Sequence, residues 1–200
     1  MGEAAVGDTV PTDPITLFLD WWSEAVRQSP ESYPTSFCLS TVDSAGRVDA
    51  RFVDLKEISA LGFVFGTHLE SPKARSMDGN PSVSLTFWWA ALRRQVRVAG
   101  TASLVSADIA DRLFQARPRD AQAVSLVSVQ SQRLTDPQTL RARVQAEVRR
   151  GVPIPRPPNW GAYCVRPERM EFLRFSESRF HERMLFVRVD SGWIQQYLQP

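Results

Sequence analysis

The sequence predicts a mainly β fold, an antiparallel barrel with helices at its periphery. Seven or eight segments read as strands, most of them joined by hairpin turns. Three or four helices are inserted between them, without the βαβ alternation of a parallel sheet. No G-x-G-x-x-G, P-loop or G-x-S-x-G elbow is present, so dinucleotide, nucleotide and serine-hydrolase sites lose their sequence support.

Each element has its own local reason. Asp13-Pro14 reads as a helix cap followed by an N1 proline, and Ile15, Phe18, Trp22 and Ala25 recur at helical spacing over 14–28. Ser36–Val42 and Arg47–Leu55 read as a hairpin around Asp43-Ser44-Ala45-Gly46. Leu61–Thr67 reads as the next strand, and His68 as a loop residue after it. Ser71-Pro72-Lys73 opens a second helix that Asn80-Pro81 ends. Ser82–Trp89 and Arg93–Ser103 read as a second hairpin. Helices follow over Ala107–Ala116 and Pro137–Arg150, then a rigid Arg156-Pro157-Pro158-Asn159 connector. Three strands close the chain at about 161–175, 183–189 and 192–198.

Composition narrows the function classes. At 200 residues and 22.6 kDa, the sequence suits one domain over 13–200 after a flexible tail at 1–12. A net charge of +2 is far from a dedicated nucleic-acid binder, and no apolar run reaches a membrane span. Cys38 and Cys164 sit in apolar patterns and read as free thiols of a cytoplasmic protein. Two cysteines and two dispersed histidines make no metal site.

Two features point to chemistry. Of 24 basic residues only Lys56 and Lys73 are lysines. A lysine in the first turn of a helix opposes the helix dipole, unless an anion sits there too. Then Arg179-Phe180-His181-Glu182-Arg183, if extended, puts Arg179, His181 and Arg183 on one face. Two guanidiniums around an imidazole make an anion-binding and proton-handling surface.

These motifs, in their order, resemble the pyridoxamine 5′-phosphate oxidase family of flavin-binding split barrels. The resemblance runs from Asp13 to the C-terminus. It rests on Asp13-Pro14-Ile15-Thr16-Leu17-Phe18, Ala50-Arg51-Phe52-Val53-Asp54-Leu55-Lys56, Ser71-Pro72-Lys73 and Asn80-Pro81. Arg94-Gln95-Val96, Arg117-Pro118-Arg119-Asp120, Gln130-Ser131, Trp160-Gly161 and Arg179-Phe180-His181-Glu182-Arg183 continue it. It implies an antiparallel, Greek-key-like split β-barrel and a homodimer with FMN at the subunit interface. It assigns the FMN phosphate to Arg51 and Lys73, supported by Gln130 and Ser131. It gives the rest of the cofactor Phe52, Val53, Lys56, Gly66, Thr67, Gln95, Trp160 and Arg183. Lys56, Arg117, Arg179 and His181 fall to the substrate, with Arg179 and His181 as the catalytic pair. The implied chemistry is oxidation of a CH–NH or CH–NH2 type donor, with dioxygen as acceptor and hydrogen peroxide as product.

The sequence also departs from the vitamin-forming members. Leu113 and Ala121 stand where those carry a tyrosine and a serine for the substrate phosphate, and Pro72 stands where many have arginine. Losing two such donors costs a phosphorylated ligand about 1–3 kcal/mol each. In this the chain is similar to the flavin oxidases of phenazine biosynthesis, whereas Lys56 is the vitamin-type residue. The expected function is oxidation of a small reduced aromatic heterocycle of the phenazine type. The alternatives are pyridoxamine/pyridoxine 5′-phosphate oxidation and a non-catalytic flavin- or haem-binding protein.

Overall fold

Asp13 caps the first helix as its sequence suggests. Its carboxylate accepts from the Ile15 and Thr16 amides at 3.3 and 3.1 Å and from the Thr16 hydroxyl at 2.9 Å. The computed structural model describes residues 13–28, 33–59 and 61–200, so the tail expected at 1–12 lies outside the described residues. Eight strands and five α-helices follow one another as α1 (Pro14–Gln28), β1 (Ser36–Val42), β2 (Val48–Ser59), β3 (Gly62–His68), α2 (Pro72–Gly79), β4 (Ser82–Trp89), β5 (Arg94–Leu104), α3 (Ala107–Gln115), α4 (Arg119–Val127), α5 (Pro137–Arg149), β6 (Trp160–Arg174), β7 (Glu182–Val189) and β8 (Gly192–Leu198). The sheet order is β3-β2-β1-β4-β5-β6-β7-β8, and β3 also pairs with β6. Six strands therefore close into a barrel, and β7 and β8 extend it beyond β6. The mainly β barrel with peripheral helices is the architecture the sequence predicts.

The chain divides into two units. One comprises Ser36–Leu85 and Ala99–Pro167. Its β1 alternates buried Phe37, Leu39 and Thr41 with half-exposed neighbours, the period-2 pattern of a strand with one face on the core. Asp43 turns β1 into β2 by accepting from the Ala45 and Arg47 amides, both at 2.9 Å, with Gly46 at φ 76°. β3 is buried on both faces, between β2 and β6. Val64, Ala110, Leu113, Phe114, Ala123, Ile154, Trp160, Ala162 and Cys164 form the apolar core shared by α3, α4, β3 and β6.

The other unit comprises the described part of Met1–Thr35 with Thr86–Val98 and Glu168–Pro200. Here α1 buries Phe18 and Trp21, whose rings lie 4.8 Å from Phe87 and 5.2 Å from Phe172. Glu171, only 2% exposed, ion-pairs with Arg183 at 2.7 Å, Arg97 at 3.2 Å and Arg169 at 3.7 Å.

Two local expectations change. No helix is read from the sequence between Arg117 and Asp136, yet α4 occupies Arg119–Val127. Tertiary hydrogen bonds hold it: the buried Gln122 amide donates to the carbonyls of Phe114, Gln115 and Arg117, at 3.1, 3.1 and 3.2 Å. The Gln115 and Arg117 carbonyls gain a donor in this way, and the Phe114 carbonyl, which also accepts from the Arg117 amide, gains a second. The extended run over 179–183 is also interrupted. β7 begins at Glu182, and Arg179 adopts φ 66° in a turn whose amide donates to the Ser176 carbonyl. Alternation therefore does not apply to Arg179 and His181, because neither belongs to the strand that carries Arg183.

Candidate functional site

A cavity of about 490 Å³ opens in the unit built from Ser36–Leu85 and Ala99–Pro167. Strand β2 contributes Arg51, Phe52, Val53 and Lys56, and β3 contributes Gly66 and Thr67. Lys73 comes from the first turn of α2, Arg117 from the connection into α4, Gln130 and Ser131 from beyond its end, and Trp160 from the start of β6. Eleven residues singled out from the sequence thus converge on one cavity, although they span more than a hundred positions. Gln95, Arg179, His181 and Arg183 belong to the other unit and do not line it.

Lys73 has the most informative surroundings. Its side chain is buried, and its ammonium donates to Thr67 Oγ1 and Gln130 Oε1, both at 3.2 Å. Both partners are neutral, and no carboxylate ion-pairs with it among the described residues. Burial, reinforced by the Arg51 guanidinium, pulls its pKa from 10.5 to about 8. Arg51 donates to the Leu39 carbonyl at 3.1 Å and Thr41 Oγ1 at 2.9 Å, and pairs with Asp49 at 2.5 Å. Asp49 lines the same cavity and partly offsets these charges, but among the described residues the Lys73 ammonium itself bonds only neutral oxygens, a setting suited to an anionic group. Ser71 forms the N-cap as its sequence suggests, accepting from the Ala74 amide. Ser131, on the same cavity, takes φ 68°, a conformation uncommon for a residue with a side chain and often found at functional sites.

Trp160 forms the apolar wall. It is 2% exposed and meets Phe114 edge-on at 5.1 Å. Gly66 is the only residue that fits opposite, since an added Cβ would lie 2.4 Å from Trp160 Cζ2. The Arg117 guanidinium sits 5.1 Å from the Trp160 ring and donates to Ser125 Oγ at 3.0 Å. Burial pushes the Arg117 pKa down, with Asp54 opposing. Lys56 pairs with Asp54 at 3.7 Å. Leu113, by contrast, packs into the apolar core and not onto the cavity.

Four polar residues of the lining are absent from the sequence-based assignment: the exposed carboxylates Asp49 and Asp54, and the buried His68 and Ser125. His68, expected in a loop, is the last residue of β3; it is 7% exposed, lines the cavity, and its Nδ1 has no hydrogen-bond partner among the described residues. The strand continues to it because Phe63–His68 pair with Val165–Trp160 of β6, a long-range contact. Ser125, 4% exposed, also lines the cavity. It stands one helical turn after Ala121, which would have flagged it had α4 been read from the sequence.

The four residues of the other unit have firm local partners too. His181 Nδ1 accepts from the Ser176 amide at 3.1 Å, so the neutral ring carries its proton on Nε2. Arg179 is exposed. Arg183 donates from Nε and Nη2 to Glu171 Oε1, at 2.9 and 2.7 Å, and from Nη1 to the Gln199 carbonyl at 3.0 Å. Gln95 lies near the start of β5.

Fold and cavity together define a closed-barrel protein shaped to hold an anionic ligand. Comparison with known proteins sharpens that class. Residues 23–148 match the family model described as pyridoxamine 5′-phosphate oxidase, and residues 160–200 match the pyridoxine 5′-phosphate oxidase C-terminal dimerisation region. The chain is 42% identical over 195 residues to a pyridoxine/pyridoxamine 5′-phosphate oxidase of Rubrobacter xylanophilus, covering 96% of this chain and 89% of that one. It is likewise 42% identical to one of Myxococcus xanthus, over 96% of this chain and 93% of that one. Among solved structures, PhzG from Burkholderia lata 383, in complex with tetrahydrophenazine-1-carboxylic acid, superimposes with a TM-score of 0.91 at 31% identity, covering 96% and 95% of the two chains. The chain belongs to the pyridoxamine 5′-phosphate oxidase family.

Proposed function

We propose that this protein is an FMN-dependent oxidase of a small, anionic, reduced nitrogen heterocycle. The observation that carries the reading is Lys73, a buried ammonium with neutral partners and the Arg51 guanidinium beside it. A phosphate ester of the FMN type meets that need with charge-assisted hydrogen bonds. The remaining lining fits the same cofactor: Gly66 leaves the wall open against Trp160, and Gln130 and Ser131 bring polar groups to the phosphate end. The oxidase names of relatives at 42% identity support an oxidoreductase. The family's dimerisation region supports a homodimer, and we propose that FMN lies at its subunit interface.

In this reading Arg51 and Lys73 bind the phosphate, and Gln130 and Ser131 support it. Phe52, Val53, Lys56, Gly66, Thr67 and Trp160 hold the rest of the cofactor, and Gln95 and Arg183, which do not line this cavity, are assigned to it on the family resemblance alone. When bound, FMN supplies a two-electron acceptor at N5 that dioxygen reoxidises, releasing hydrogen peroxide. Lys56 and Arg117 draw the substrate's anionic group, and Trp160 excludes water from one wall. Arg179 orients the substrate. His181 manages a proton at Nε2, since the Ser176 amide occupies its Nδ1.

The substrate we favour is of the phenazine-precursor type, a reduced tricycle bearing a carboxylate. Leu113 turned into the core and Ala121 on α4 leave a phosphorylated ligand two hydroxyl donors short. The likeness to PhzG supports the same choice. A second reading, oxidation of pyridoxamine or pyridoxine 5′-phosphate, is favoured by Lys56 and Arg117 lining the cavity together and by the names of the relatives.

Anaerobic mixing of the yellow protein with each substrate separates them. Bleaching by a dihydrophenazine carboxylate and not by pyridoxamine 5′-phosphate is expected. The opposite pattern assigns the protein to vitamin metabolism. Absence of bleaching with any reduced heterocycle, in a protein that holds FMN, means a flavin carrier.

A further inference from the structure

Two buried polar residues in the cavity remain without an assigned role. His68 and Gly66 stand two apart on β3 and share a strand face, and in the β6 register His68 is opposite Trp160. Its ring is buried on the cavity, yet among the described residues no group bonds Nδ1. The charges acting on it are Arg117 and Lys73, which with burial favour the neutral ring, and Glu70, which opposes them. Ser125 is buried on α4, and its Oγ accepts from Arg117 Nη1 at 3.0 Å. That bond fixes a guanidinium that also lies over the rings of Trp160 and Phe114, at 5.1 and 5.9 Å, and feels the Asp54 carboxylate.

We propose that His68 and Ser125 determine the specificity of this cavity, His68 by bonding an anionic oxygen group of the substrate, a carboxylate or a phosphate, and Ser125 by positioning Arg117 to pair with the same group. The inference rests on the oxidase reading above. It gives Nδ1 the partner it lacks among the described residues, and it has Ser125 act through Arg117 and not as a direct donor like the hydroxyl absent at Ala121. The arriving anion also offsets the two cations that keep a proton off the imidazole. Binding is therefore coupled to proton uptake by His68.

The test uses FMN-loaded protein and ligands that cannot be oxidised. Phenazine-1-carboxylate, pyridoxal 5′-phosphate and phosphate-free pyridoxal are each titrated by perturbation of the flavin absorbance, and inorganic phosphate by calorimetry. His68→Phe is expected to weaken the preferred anionic ligand by about tenfold and to flatten the pH dependence of its binding on the acid side of neutrality, since burial and the nearby cations hold the free imidazole's pKa below its ordinary value. His68→Gln, which keeps a neutral donor, restores part of the affinity without the pH dependence. Ser125→Ala weakens the same ligand by about threefold to fivefold, and Ser125→Thr recovers it. FMN affinity, read by fluorescence, stays within about twofold throughout, since neither residue serves the cofactor phosphate.

Unchanged affinity in both His68→Phe and Ser125→Ala overturns the proposal. So does an equal loss for phosphate-free pyridoxal, or a parallel loss of FMN. Whether the carboxylate or the phosphate ester carries the effect identifies the substrate class. If neither organic anion binds the unaltered protein but inorganic phosphate does, and His68→Phe weakens it, the substrate reading falls and the subsite stands. If phosphate also fails to bind, the subsite falls.

Discussion

Lys73 is a buried ammonium whose hydrogen-bond partners are neutral, and the proposed cofactor phosphate would supply it with a counter-charge. Replacing it with alanine removes a charge-assisted bond and is expected to weaken FMN binding about 10- to 100-fold, from about 1.5–3 kcal/mol per hydrogen bond to a charged group. Fluorescence titration of refolded apoprotein measures this directly, and unchanged affinity would remove the phosphate from this end of the cavity. The pH dependence has a definite sign. The folded, ligand-free protein releases the Lys73 proton near pH 8, whereas the unfolded chain keeps it to about 10.5. Over that window the unfolded state binds more protons, so this residue's contribution to apoprotein stability rises with pH. Anion binding requires the proton back, so FMN affinity falls as the pH climbs past about 8. Lys73→Arg stays protonated and should lose that dependence, which titrations from about pH 6.5 to 9 would reveal.

Elements meet closely in this fold, and two glycines mark where. An added Cβ at Gly100 of β5 would lie 2.0 Å from the Arg166 carbonyl oxygen of β6, a backbone atom that cannot swing aside. Gly100→Ala is therefore expected to destabilise the protein by about 3 kcal/mol or more, or to prevent soluble expression. A melting temperature within a few degrees of the unaltered protein would show that β6 can retreat. At Gly66 the obstacle is a side chain, the Trp160 indole. Gly66→Ala should displace that ring and disturb the cavity more than the fold.

Across the whole molecule, the two units divide the labour. The unit with the cavity carries Arg51 and Lys73, the proposed phosphate ligands. The other carries Glu171 with its three arginines and the β7–β8 hairpin. Glu171→Gln leaves Arg97, Arg169 and Arg183 without a common counter-charge around a buried position. The expected cost is about 3–5 kcal/mol, measured by denaturant unfolding. The same variant frees Arg183 from the carboxylate that holds it, so FMN affinity in the surviving folded fraction reports whether that guanidinium serves the cofactor. The proposed homodimer predicts a solution mass near twice the 22.6 kDa chain by light scattering, and a monomer holding FMN would refute the interface site.

What the amino-acid sequence determined by itself was local or carried by ordered motifs. Caps at Asp13, Ser71 and Asp136, turn chemistry at Asp43–Gly46, and alternation in β1 are interactions among near neighbours, and each was legible. The misplaced lysine of the α2 first turn pointed to an anion, and the family resemblance collected eleven cavity residues that no local pattern joins. The tertiary structure decided the rest. Helix α4 exists because Gln122 donates to the carbonyls ending α3 and to that of Arg117, with a partner in each case set by packing. His68 is a buried strand residue because β6 pairs with it from ninety positions away. Arg179 and His181 left the strand of Arg183 because the backbone turns at φ 66°, which alternation of side chains cannot reveal. Burial, pairing across distant segments and the charge around a side chain depend on which parts of the chain meet, and only the folded structure contains that information.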